Sequence, residues 1–134
     1  MGVSERNFAF IGYIKEEDTL VKYYQASSVY VAPTLYENLP IRILEAMACG
    51  IPVVASNICA IPEVIDSYVN GILIAPGSIE ELAGAVNCLL GNSKLRKLLG
   101  ERARKTVLNK FNYSISTFKT LRLYRQIVEG CHTI

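Results

Sequence analysis

Two glutamates, Glu37 and Glu45, stand eight positions apart in the stretch YENLPIRILEAMACG (36–50), with Pro40 between them. Proline suits the first turn of a helix, where its missing N–H is no loss and its fixed φ is already helical. Glycine suits the stop, so the stretch predicts a helix over 40–49. At about 100° per residue, Ile41, Ile43, Leu44, Met47 and Ala48 form one broad apolar side, and Arg42, Glu45 and Cys49 fall on the other. Glu37 belongs to the loop before this helix, and Glu45 lies one turn inside it. A helix N-terminus presents unpaired amides and partial positive charge, a natural seat for phosphate. Carboxylates flanking that seat are poor phosphate ligands but good acceptors for the hydroxyls of a ribose or hexose. Together they point to a sugar-bearing diphosphate. The same residues also permit a plainer account, in which Glu37 is an ordinary loop acid and Glu45 pairs with Arg42 at i, i+3.

The elements that must position these residues alternate in type. NFAFIG (7–12), SVYVAPT (28–34), IPVVAS (51–56) and NGILIAP (70–76) are short apolar runs bounded by turn residues and read as strands. EEDTLVKYYQASS (16–28) has acids in its first turn and Leu20, Tyr23 and Tyr24 at helical spacing. Tyr23, Tyr24 and Tyr30 read as core and boundary residues, and Cys49 as a small packing residue. NICAIPEVI (57–65) reads as a loop with at most one helical turn. Ser78 with Glu81 forms a capping box, followed by Ile79, Leu82, Ala83, Val86, Leu89 and Leu90 in helical period. Two basic amphipathic helices, 92–110 and 114–130, complete the chain. Apolar strands alternating with helices predict an α/β fold, a Rossmann-like parallel sheet covered on both faces. In such sheets ligands bind beyond the carboxyl ends of the strands, and the loop carrying Glu37 leaves one of those ends.

A 134-residue chain with 51% hydrophobic residues fits one domain with a real core. No apolar run reaches the ~20 residues of a membrane span. The polar opening MGVSERNF resembles neither a signal peptide nor, with Arg6 where Ser or Thr belongs, a myristoylation signal. Cys49, Cys59, Cys88 and Cys131 are scattered, which argues against a zinc site or disulfide framework and predicts a reduced, cytoplasmic setting. His132 has no catalytic partner in view. Residues 1–93 carry four basic and ten acidic side chains, whereas 94–134 carry ten basic and two acidic. The basic stretch 94–125 reads as solvated helix faces or as a patch for anionic lipid headgroups or a phosphorylated partner. It lacks the aromatic interleaving of nucleic-acid binders, so no nucleic-acid partner is expected.

APTLYENLPIRILEAMACGIPVVASNICAIPEVI (32–65) closely resembles the signature of retaining, nucleotide-sugar-dependent glycosyltransferases of the glycogen synthase and sucrose synthase type. That signature has two glutamates eight apart, the second of them opening E-A-M-A-x-G-x-P-V-V-A-S. The likeness extends through NGILIAPGSIEELAGAV and back to FAFIGYIKEEDTLVKYYQASSVYVAP, from about Phe8 to Tyr124. It implies the C-terminal, donor-binding lobe of a two-lobed GT-B fold. It further implies that Glu45 accepts hydrogen bonds from the donor's ribose and that Glu37 orients the transferred sugar near its reacting carbon. Amides of Asn38, Leu39 and Ile41 would approach the diphosphate, and the loop Gly12–Tyr13–Ile14 the base. No metal or other cofactor is implied; the donor would be a UDP- or GDP-sugar, for hexosyl transfer to a sugar or lipid-linked acceptor.

Several positions depart from the pattern. Residues after the first glutamate are commonly glycine-rich, but here they are Asn38, Leu39 and Pro40, and Pro40 has no N–H to offer. The strand–helix units bearing the Arg and Lys that clamp the diphosphate, and the acceptor lobe before them, are not in these 134 residues, and Arg42 is the basic residue nearest the motif. Residues 1–134 therefore read as a partial nucleotide-sugar-binding domain, inactive alone. The strand NFAFI would lack its natural neighbours. It is expected to pair with VYVAP, to pair with another chain or the missing lobe, or to leave an edge prone to association. Cys59–Ala60 replaces a frequent pair of glycines, which narrows backbone freedom. Glu63 matches a recurrent acid that either caps a helix or meets the donor or the other lobe. A non-catalytic remnant or interaction module with the same fold is the alternative.

Overall fold

The computed structural model describes residues 7–38 and 41–130. The elements alternate along the chain: α1 (Glu17–Ala26), β1 (Tyr30–Ala32), α2 (Ile41–Ala48), β2 (Val53–Ser56), α3 (Ile61–Val64), β3 (Ile72–Ile74), α4 (Ile79–Gly91), α5 (Ser93–Lys110) and α6 (Tyr113–Gly130). The three strands form one parallel sheet in the order β1-β2-β3, with Val31 opposite Val54 and Ala55 opposite Leu73. The central strand β2 is buried along its whole length, as a run of apolar residues in a two-sided sheet must be.

Side chains alternate across β2 and divide the core in two. Val53 and Ala55 pack with Ile43, Ala46 and Met47 of α2, Tyr24 of α1, Ile61 and Val64 of α3, and Ala103 and Val107 of α5. Val54 points the other way, into Ile72 and Ile74 of β3, Ala85 and Leu89 of α4, and Leu99 of α5. Burying each valine contributes about 1.5–3 kcal/mol. The α/β arrangement with helices on both faces is thus realised, and α5 serves both faces.

Helix ends are closed by identifiable groups. Gly50, at φ 77°, ends α2: its N–H donates to Met47 O at 2.9 Å and the Ile51 N–H to Ala46 O at 3.0 Å, a Schellman motif. Arg104 of α5 donates to the Ala48 carbonyl at the same end. Close approach of α5 to this turn needs Gly100, where a Cβ would run into the Gly50 carbonyl oxygen. At α4, Ser78 Oγ accepts the Glu81 N–H at 3.2 Å. The Glu81 carboxylate, however, accepts from the Ala75 N–H at 2.7 Å and does not complete the capping box. The Ser78 N–H already donates to Ala75 O, which removes the donor that Glu81 would have satisfied.

Two further expectations need correcting. NFAFI forms no strand: residues 8–16 carry no regular structure, Phe10 is fully exposed, and β1 keeps an open edge among the described residues. With no strand alongside, its backbone has no ladder to join. Ile41, assigned to the packing side of α2, is 69% exposed, and Ala46 takes the buried place. Ile41 is the first residue of α2, and the helix is covered only from Ile43 onward. The amphipathic helix expected over 114–130 forms as α6, and it buries none of its residues.

Candidate functional site

The strands point their carboxyl ends toward the loop 33–38 and the turn at 57–60, and these loops are tied together. The Ala60 N–H donates to Asn38 O at 3.3 Å. Cys59 sits at φ 49°, the left-handed conformation that a glycine accepts without strain, so the glycine-to-cysteine departure is carried as local strain. Glu37 is half-buried in this loop, and Asn38 is exposed. Leu39 and Pro40 lie outside the described residues, as do the opening Met1 and Gly2, Cys131 and His132. Ile41 opens α2. At the strand ends beside this loop, the hydroxyls of Thr34 and Ser56 are buried without a hydrogen-bond partner among the described residues.

Between α1 and α2, behind the loop 13–15, lies an open cavity of about 480 Å³. Its walls include Tyr13, Ile14 and Lys15 from the loop, Leu20, Val21 and Tyr24 from α1, Arg42 and Glu45 from α2, and Cys49 just after it. Its size falls within the range of small-molecule sites. The polar centre is Glu45. Its Oε2 accepts the Tyr24 hydroxyl at 3.0 Å and Arg42 Nη1 at 2.8 Å, whereas Oε1 accepts no hydrogen bond from the described residues.

The structure therefore brings Glu45, Tyr13 and Ile14 to one cavity, with Gly12 (φ 72°) at the turn into it. Glu37, Asn38 and Ile41 are not in its lining and belong to the strand-end loop and the opening of α2. The i, i+3 pair of Arg42 with Glu45 also forms. It coexists with an open face of the carboxylate, so the plainer account and the ligand-binding one are compatible. Cys49 packs against the core and also lines the cavity, and burial pushes its thiol pKa up. Glu63 sits exposed in the first turn of α3, away from Glu45, beside a shallow depression with Asp66 and Lys110.

Sequence reasoning missed the part played by Tyr24. Its ring is core, 7% exposed and edge-on to Tyr30, as expected. Its hydroxyl reaches across 21 positions to Glu45. Burial first, then the bond to Glu45 and its charge, drive the phenol pKa upward. A buried tyrosine generally needs a partner for its hydroxyl, a signal that asks for an acceptor without naming it.

The parallel three-stranded sheet with helices on both faces, and a cavity beside the helix that follows β1, define an α/β domain of Rossmann-like type. The family model for "Glycosyl transferases group 1" matches residues 4–106, and the chain belongs to that family. It is 36% identical over 108 residues to an alpha-maltose-1-phosphate synthase of Mycobacterium tuberculosis, covering 76% of this chain and 28% of that protein. Among solved structures, sucrose-phosphate synthase from Thermosynechococcus elongatus superposes with a TM-score of 0.85 at 32% identity, over 91% of this chain and 30% of that one. S. aureus TarM, in a complex that contains UDP, gives 0.79 at 28% identity, over 90% and 24%. The fold is accordingly part of a GT-B glycosyltransferase. The chain spans about a third or less of the length of the relatives it matches.

Proposed function

We propose that this chain binds the nucleoside-diphosphate sugar donor of a retaining hexosyltransferase, with the acceptor bound by parts of the protein outside these 134 residues. Glu45 accepts the ribose hydroxyls, Tyr13 and Ile14 border the base, and Glu37 orients the transferred sugar. The amides at Asn38, Leu39 and Ile41 approach the diphosphate. Alone, the chain binds donor without turning it over, because the acceptor lobe and the strand–helix units whose Arg and Lys would clamp the leaving diphosphate are not in these 134 residues. The observation that supports this most is the Glu45 carboxylate in the cavity beside α2, with one oxygen still able to accept.

Calorimetric titration of UDP, GDP and ADP tests the reading. One of them is expected to bind, and Glu45→Ala weakens it by about tenfold or more, as loss of hydrogen bonds to a charged group does. No binding of any of the three to the folded protein would favour the alternative, a non-catalytic interaction module.

A location in the cytoplasm, with the basic stretch 94–125 touching an anionic membrane face, belongs to the same proposal. Among the described residues no helix is long and apolar enough to cross a membrane. Lys119, Arg122 and Arg125 share α6 with the exposed Leu121, Tyr124 and Ile127, the composition of a helix lying at a lipid surface. Co-sedimentation with phosphatidylserine vesicles, lost at high salt, is the expected result.

A further inference from the structure

We infer that Tyr24 is a positioning residue: its hydroxyl holds Oε2 of Glu45 so that Oε1 remains the acceptor for the vicinal diol of a ribose. This rests on the reading of the cavity as the donor's nucleoside site.

Three observations carry it. The Tyr24 ring is anchored in the core, 7% exposed and 5.8 Å from the Tyr30 ring at 67°, so its hydroxyl has a fixed address. Glu45 by contrast is half-buried, on a glutamate's flexible stem, and its other partner Arg42 is exposed and lies on the same helix. The Tyr24–Glu45 bond is the contact that joins α1 to the carboxylate on α2, and both helices wall the cavity. A carboxylate has about four acceptor positions on two oxygens. Here both protein donors use the same oxygen, and a diol can take the other.

A carboxylate held this way loses less side-chain freedom when ligand arrives, and its preference for two adjacent hydroxyls is sharpened. Without the Tyr24 hydroxyl, Glu45 retains its charge and its pairing with Arg42 but can swing about that pair. The phenylalanine variant keeps the ring and its packing, so the effect is on orientation.

The test uses the full chain and whichever of UDP, GDP and ADP binds best, together with its 2′-deoxy counterpart. Wild type is expected to prefer the ribonucleotide about tenfold. Tyr24→Phe reduces the preference to about threefold or less by weakening the ribonucleotide alone, while Tyr30→Phe, which removes a hydroxyl not bonded to Glu45, leaves it intact. Tyr24→Leu, which also removes the hydroxyl and keeps an apolar side chain in the core, loses the preference too and decides the matter if Tyr24→Phe does not fold. A preference of about tenfold retained in whichever of these variants folds overturns the positioning role and leaves the nucleoside reading standing. Failure of wild type to bind any of the three, or to distinguish ribose from deoxyribose, overturns the nucleoside reading and the positioning role with it.

Discussion

A buried phenol that bonds a half-buried carboxylate gives Tyr24 a pH signature of its own. A group whose pKa is higher folded than unfolded contributes stability that is complete below the unfolded value, near 10 for tyrosine. That stability is lost as pH rises through the folded value. Burial, the Glu45 bond and the Glu45 charge all raise the Tyr24 pKa. The melting-temperature advantage of wild type over Tyr24→Phe should therefore be largest below about pH 10 and shrink above it. Calorimetric scans on either side of that pH check this, and a constant difference would count against the bond. Ser56 makes the opposite kind of case. Its hydroxyl is fully buried and has no partner among the described residues, and leaving such a group unsatisfied costs about 1–3 kcal/mol. Ser56→Ala is expected to hold or raise the midpoint of urea unfolding; a loss of more than about 1 kcal/mol would reveal a partner that the hydroxyl satisfies.

At the scale of elements, the turns that end helices and strands set the site. The Schellman turn at Gly50 lets β2 begin directly after α2, and α5 closes over it through Gly100 and Arg104. Gly100→Ala forces a Cβ against the Gly50 carbonyl and is expected to cost about 1–3 kcal/mol by overpacking, measured by denaturant unfolding. The strand-end turn is less well fitted. Cys59 holds a left-handed φ at a cost of about 1–2 kcal/mol, partly offset because glycine gains more freedom on unfolding. Cys59→Gly should raise the melting temperature slightly, and a fall would show that the thiol packs usefully. This turn is bonded to Asn38, so it also sets the loop that carries Glu37.

For the whole molecule, apolar surface left uncovered is the dominant feature. Phe8, Phe10 and Ile11 are exposed before α1, Val31 is 37% exposed on the edge strand, and α6 turns its whole apolar face outward. An open strand edge beside apolar residues invites pairing with another chain. The 134-residue chain alone should show concentration-dependent association in sedimentation velocity. Val31→Lys, which places a charge at the edge, should reduce it; equal association in both would move the sticky surface away from β1.

What the sequence settled on its own were features written locally. Apolar runs marked three strands, Gly50 marked the end of α2, Ser78 marked the start of α4, and the paired glutamates carried the resemblance to a glycosyltransferase family that the family model then matched over residues 4–106. Those signals depend on neighbours a few positions apart, where backbone propensity and periodicity act. The tertiary structure decided what depends on distant neighbours. An apolar run such as NFAFI is a strand only if another strand lies beside it, and none does among the described residues. Likewise α6 has an apolar face, but only packing decides whether that face is covered. Tyr24 read correctly as core, and its hydroxyl's partner lay 21 residues away on another helix. Sequence placed Glu45 on the outward face of α2; the fold decided that both of its donors among the described residues, Tyr24 and Arg42, reach the same oxygen, because one of them comes from another helix.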